Sequence, residues 1–407
     1  MKIAIDRVNI DPNGYRVFLP GYPREQLSQG THDQPESVLL LLEVNEDRLL
    51  FVSLDVAVVT KNKADLIKQA LSQAVLIPEK KIFVQATHTH SGPSGFDTII
   101  TTTMPTDSEE YFRSTINQLV VCSQSLAERL EPVTLQIGST HSHGYYNNRA
   151  NPTKDYNERI TMINFINKAG NIIGGLLNVN VHSTVIGPDN VFITKDLLGG
   201  LREQILREKG ILYYTFAGAS ADVSNRNLRQ GNDYTELARV VTGIVEQIYD
   251  IKTFKQLKLE AVKQEQIYYK LDYDNTCYYP AYRSEASRIK LQLAEPEKYS
   301  YDEIKLQKSK LSILETKLSL PNVQIELEIQ KLDFGELILI TFPGELSSKL
   351  GKLVIDSYLP EECLILGYTN DFQMYFMEAE MYGETYETFA SYVPKGEPEI
   401  IAERMSK

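Results

Sequence analysis

Five of the six histidines in this 407-residue chain fall into three short motifs: His88-Thr89-His90, His141-Ser142-His143, and His182 at the end of an apolar run. Imidazole binds zinc well, and zinc sites that do chemistry combine two or three nitrogens with a carboxylate and keep one position open. In extended chain, residues i and i+2 project to the same face, so His88 and His90 can point into one site. A bare His-X-His is weak on its own, because exposed and core-satisfied histidines are common. The 141–143 pair is followed by polar, Gly- and Asn-rich sequence and reads as a loop or substrate wall, with surface histidine the favoured reading. His182 taken alone would more often be a packed core histidine. Asp55, at a strand end, could orient a metal-bound imidazole or equally cap a turn. Asp222 suits a loop-ordering carboxylate.

These groups must be positioned by the elements between them. Two apolar strands between Ser37 and Val59 are joined by the Asn45-Glu46-Asp47 turn, and the second ends at Asp55. Helical periodicity follows from Lys61 to Gln73. A strand over Lys81 to Ala86 then stops at Thr87-His88-Thr89-His90-Ser91-Gly92-Pro93, the kind of strand end where site loops lie. A long amphipathic helix is predicted from Ser108 to Leu130, and another helix from Thr194 to Glu208. Strands are predicted near Val133 to Ile137, Ile160 to Ile166, Ile172 to Val181 and Leu212 to Phe216. Interleaved strands and helices predict an α/β fold, mixed sheet layers flanked by helices.

A Lys-, Glu-, Gln- and Leu-rich stretch near 284–317, with Pro296 at its middle, predicts a helical hairpin insertion. Its favoured reading is a solvated structural arm, with a lid or dimer contact as the sharper alternative. Strands resume at Val323 to Leu332 and Leu337 to Phe342, the latter ending at Pro343-Gly344-Glu345. Without repeats or a low-complexity linker, a single catalytic domain over 1–407 is the simplest division.

A formal net charge of −12 with no Lys/Arg cluster argues against nucleic acid as a partner. The N-terminal stretch alternates like a strand and lacks the apolar core of a signal peptide. No apolar run approaches the roughly 18 to 20 residues of a membrane span. Cys122, Cys277 and Cys363 are odd in number and widely spaced, which suits reduced thiols. A cytoplasmic location is the expectation, and the sequence is silent on whether the chain forms a homo-oligomer.

Four motifs in order, ATHTHSGP at 86–93, NVHST at 180–184, ADVSN at 221–225, and PGE at 343–345 followed by GYTNDFQMYFMEAEMY, resemble those of the neutral ceramidase family. The resemblance implies Zn²⁺ ligands at His88, His182, Glu345 and Tyr382, a substrate-approaching Arg149 in the Asn148-Arg149 pair, and an active-site Ser224. The match departs at Ala221 and Asn225, where the family has Gly and Pro. The family's immunoglobulin-like C-terminal domain and secretion signal are expected to be absent.

The chemistry so implied is hydrolysis of a linear N-acyl amide by zinc-activated water, with His90 as general acid or base. Alternatively, His90 is a second-shell group or a further zinc ligand. Ser224 is either a nucleophile or, slightly favoured, a donor that orients substrate. Competing readings are a zinc esterase or peptidase-like hydrolase on a small polar substrate, and a catalytically silent metal-binding interaction protein.

Overall fold

The strand Glu36–Val44 is apolar at nearly every position, a pattern that requires cover on both faces. Leu39 and Leu41 pack on one side with helix residues such as Ile67, Leu119, Leu201 and Val240, whereas Val38, Leu40 and Leu42 face the opposite way. Its hairpin to Asp47–Leu54 turns through Asn45 and Glu46, both at positive φ (49° and 72°), which matches the twist of a two-residue turn.

The computed structural model describes residues 1–22, 24, 26–97 and 104–407. Nine strands form the larger sheet. Its main path runs Tyr213–Phe216, Ile172–Val179, Arg159–Asn167, Glu131–His141, Lys2–Asn9, Glu36–Val44, Asp47–Leu54, Ile82–Ala86, and Lys255–Leu257 adds beside Glu131–His141. A four-stranded sheet follows the order Leu259–Asp274, Asn322–Gly335, Leu337–Thr341, Glu362–Leu366.

Alternation along Leu337–Thr341 shows how the sheets stack. Leu337 and Leu339 join the core that holds Val38, Leu40 and Phe51, so the two sheets face each other. Ile338 and Ile340 face the far side with Leu350 and Val354 of helix Ser348–Ser357 and Ile401 and Met405 of helix Glu397–Met405. The result is four layers, helices outside two central sheets, and the α/β expectation holds. Each of these fully buried aliphatic side chains contributes about 1.5–3 kcal/mol.

Within the two large sheets three strand pairs are parallel: Asp47–Leu54 with Ile82–Ala86, Ile172–Val179 with Tyr213–Phe216, and Leu337–Thr341 with Glu362–Leu366. Parallel strands carry their loops to one end, where ligands of open α/β sheets bind. The predicted insertion is a pair of helices, Tyr279–Leu293 and Tyr301–Ser319, whose neck is closed by the Asn275 side chain bonding to the Lys317 and Leu320 carbonyls, each at 2.8 Å. Among the described residues no helix is long and apolar enough to cross a membrane, and the three cysteines are unpaired.

Candidate metal centre

All three parallel pairs deliver residues to one place. Ala57 and His88 follow the first pair, His182 and Ser220 the second, Glu345 and Tyr368 the third. His88, His182 and Glu345 are brought together, with one ligand atom of each within 4.8 Å of the others. His88 Nε2 lies 3.7 Å from Glu345 Oε1, and His182 Nε2 lies 2.9 Å from Glu345 Oε2.

Each imidazole is held by its other nitrogen. His88 Nδ1 donates to the Ala57 carbonyl at 2.7 Å and His182 Nδ1 to the Ser220 carbonyl at 2.8 Å. That fixes both tautomers with a lone pair on Nε2, the arrangement by which backbone carbonyls orient metal-bound histidines. His182 Nε2 and Glu345 Oε2 therefore face each other as two buried acceptors, and among the described residues neither has a hydrogen-bond partner. Buried acceptors aimed at each other are costly unless a cation lies between them.

The charge states agree. Burial pushes His88 down to about 4 and holds His182 and His90 well below the usual imidazole value, so all three are neutral at pH 7. Neutral imidazole is the ligating form. Burial lifts Glu345 to about 7 against the pull of His88 and Arg149. A divalent ion would reverse that rise. The residues present thus fit a metal bound by two imidazoles and one carboxylate, a zinc-type donor set.

The backbone is bent to make this site. His88 has φ 61°, and Tyr368, Asn370 and Met374 lie in the same left-handed region. Strained non-glycine residues cluster where a fold over-determines them, often at functional sites. His88 and His90 do meet, with Nε2 atoms 3.2 Å apart, through a turn beyond the strand rather than by the alternation of extended chain. The ring of His90 tucks against Gly21, where a Cβ would sit 2.5 Å from its Cγ. Gly344 likewise lets the chain pass Met374, whose carbonyl a Cβ would approach to 2.9 Å.

Tyr382 is not brought to this set. Its hydroxyl donates to the Val393 carbonyl at 2.7 Å, and its ring packs beside Met377 and Ala390. A phenol near the carboxylate is Tyr375, register partner of Glu345 in a short parallel bridge, and its hydroxyl draws the Glu345 carboxyl down against the effect of burial. Tyr375 lies in the same GYTNDFQMY stretch, seven residues before Tyr382, so the motif holds both tyrosines. Tyr368 stacks on His88 with ring centroids 4.2 Å apart.

Arg149 lies at the site edge. Its Nε donates to Glu387 at 2.6 Å and its Nη2 to the Tyr375 hydroxyl at 3.4 Å. Ser224 is buried one residue beyond Val223, whose carbonyl accepts from the His182 amide. Its Oγ accepts from the Arg226 amide at 3.3 Å and, among the described residues, hydrogen-bonds no imidazole. Asp222 ties Asn148 to Ser348, accepting from the Asn148 amide nitrogen at 2.7 Å and the Ser348 hydroxyl at 2.8 Å. Asp55 orients no imidazole: it pairs with Arg202 at 2.5 Å and accepts from the Glu36 amide. His141 and His143 are exposed, and His143 faces Glu158 at 3.7 Å.

Fold and site together define an α/β protein with a buried metal-binding type of His-His-Glu set. Residues 13–209 match the family model described as neutral/alkaline non-lysosomal ceramidase, N-terminal. The neutral ceramidase of Pseudomonas aeruginosa is 23% identical over 216 residues, which are 49% of this chain and 32% of that protein. The matched stretch thus spans about a third of that relative's length. The solved structure of neutral ceramidase from Pseudomonas aeruginosa has a TM-score of 0.71 at 16% identity, covering 99% of this chain and 72% of the other. A ceramidase complexed with C2 gives 0.72 at 15%, covering 99% and 73%. These two likenesses establish a shared fold.

Proposed function

We propose that the chain is a zinc-dependent hydrolase of N-acyl amides, with His88, His182 and Glu345 holding the metal and a tyrosine as the fourth ligand. The observation that carries this reading is the pair of facing, unpartnered acceptors, His182 Nε2 and Glu345 Oε2, 2.9 Å apart and buried. The sequence motif assigns the fourth ligand to Tyr382, whereas the geometry favours Tyr375. The family's name supports an amide substrate, and the relatives' names make ceramide the first candidate. Three unpaired cysteines, one of them buried, support a reducing, cytoplasmic setting.

Zinc in such a site supplies Lewis acidity toward a carbonyl and lowers the pKa of water to roughly 7. The chain's own residues do the rest. Arg149, kept charged by Glu387 despite burial, directs N–H groups toward developing negative charge on the substrate oxygen. His90 is neutral, has an unpartnered Nδ1, and can take a proton from water and pass it to the leaving amine. Ser224 lacks an imidazole to activate it, which favours substrate orientation over nucleophilic attack.

The test is elemental analysis of the purified protein followed by assay on matched N-acyl amides and esters of short and long chains. Stoichiometric zinc with amide cleavage is expected. Zinc without cleavage of any amide or ester would leave only the silent metal-binding reading, and absence of metal uptake would sink the ligand set.

A further inference from the structure

The helices Tyr279–Leu293 and Tyr301–Ser319 lie outside both sheets, and the chemistry above makes no use of them. They are not a free arm. Their inner faces form a small core of Ala286, Ile289 and Leu314 that takes in Phe389 from the loop after Tyr382.

The second helix holds that loop at two points. Ser309 Oγ is 3.1 Å from the Tyr386 hydroxyl. Lys317, 6% exposed, donates from Nζ to the Phe389 and Ser391 carbonyls, both at 2.7 Å. The rings of Tyr282, Phe389 and Tyr392 surround the same ammonium with centroids 5.3–5.8 Å away. Among the described residues no carboxylate pairs with it. A buried cation without a counter-charge is tolerated only where its donors and the surrounding π faces replace water. Here that replacement is the backbone of one loop.

Between the two grips lies Glu387, which takes Arg149 Nε at 2.6 Å, both side chains being almost fully buried. From the second grip, Ser391 Oγ donates to the Tyr375 carbonyl at 2.7 Å. Tyr386 meets Tyr375 edge to face, ring centroids 6.3 Å apart. The hold on the loop therefore reaches Arg149 and Tyr375 in one further contact each.

We propose that the helical hairpin is a clamp on the substrate side of the site, and that Lys317 is a positioning residue that fixes loop 385–392 and, through Glu387, aims the Arg149 guanidinium. The kinetic arm of its test rests on the amide-hydrolase reading. The structural arm does not.

In the full-length, metal-loaded protein, Lys317→Met keeps the chain length and apolar stem but removes every donor, while Lys317→Arg restores donors. Lys317→Met is expected to retain its zinc, to lose at least tenfold in kcat/KM well below its unfolding temperature, and to exchange amide hydrogens faster in loop 385–392. Lys317→Arg should recover most of both. Wild-type loop exchange in Lys317→Met, or a lowered melting temperature with unchanged kcat and KM, overturns the proposal. If the wild type cleaves no amide, the hydrolase reading fails while loop exchange still decides the clamp. Should Lys317→Met fail to fold, Ser309→Ala, which removes the other grip on the loop, is read by the same two outcomes.

Discussion

The chain contains two His-X-His motifs of identical spacing, and they end in opposite circumstances. His88 and His90 lie at the joined ends of two parallel pairs, their second nitrogens buried and one of them bound by a carbonyl. His141 and His143 lie exposed at the end of a strand, with Glu158 as a loose neighbour. Burial costs an imidazole its proton and its hydration, and what replaces them decides its role. At His88 the replacement is a carbonyl on one nitrogen and, at the other, the His90 imidazole and the Glu345 carboxylate. At His143 the replacement is water. Spacing proposes a ligand pair, and desolvation with a fixed tautomer selects it.

The largest expected effect breaks that comparison directly. His88→Ala or His182→Ala should remove most bound metal and nearly all hydrolysis, whereas His141→Ala and His143→Ala should leave both within twofold, as read by atomic emission and initial rates. Next come the two tyrosines. Tyr375→Phe should weaken metal binding about 10- to 100-fold, as losses around metal ligands do. Tyr382→Phe should keep the metal and cost about 1 kcal/mol of stability, the worth of one hydrogen bond. Equal zinc affinity in wild type and Tyr375→Phe would return the place of fourth ligand to Tyr382.

The pH dependence sharpens the contrast further. With the imidazoles already neutral, the proton that a cation must displace is on Glu345, whose carboxyl is lifted to about 7. Below that value affinity should fall about tenfold per pH unit, and above it should level off. A titration of metal affinity that is flat from pH 5 to 7 would contradict the raised carboxyl. Smallest in its effect on the metal is Ser224→Ala, expected to keep it bound and to lose about 5- to 150-fold in rate, the cost of one hydrogen bond of about 1–3 kcal/mol. An acyl group trapped on Ser224 would instead make it the nucleophile.

Much of this was legible in the sequence, for identifiable reasons. Apolar strands and the Asn45-Glu46 turn announce themselves through composition and period, and His88, His182 and Glu345 each follow a strand end. The hairpin near 284–317 was visible through its charge pattern, but its role was not, because Lys317 looks like any surface lysine until the loop at 389–391 folds onto it. Ala57 and Ser220 act through carbonyls, which no residue type reveals. The role of Asp55 stayed open in the sequence, since only the fold shows Arg202 arriving from the helix Asp196–Lys209 to claim it. Tyr375 and Tyr382 share one motif, and the choice between them needed the bridge to Glu345.

The burial of the three ligands has a kinetic side. His88, His182 and Glu345 expose 3%, 1% and 2% of their surface, so a cation seated among them can leave only when the surrounding shell opens. Local openings of packed structure are rare events whose frequency the protein sets, not the solution. Stripping by an excess of chelator should therefore proceed at a rate that stops rising with chelator concentration. That plateau would time the breathing of the strand ends themselves.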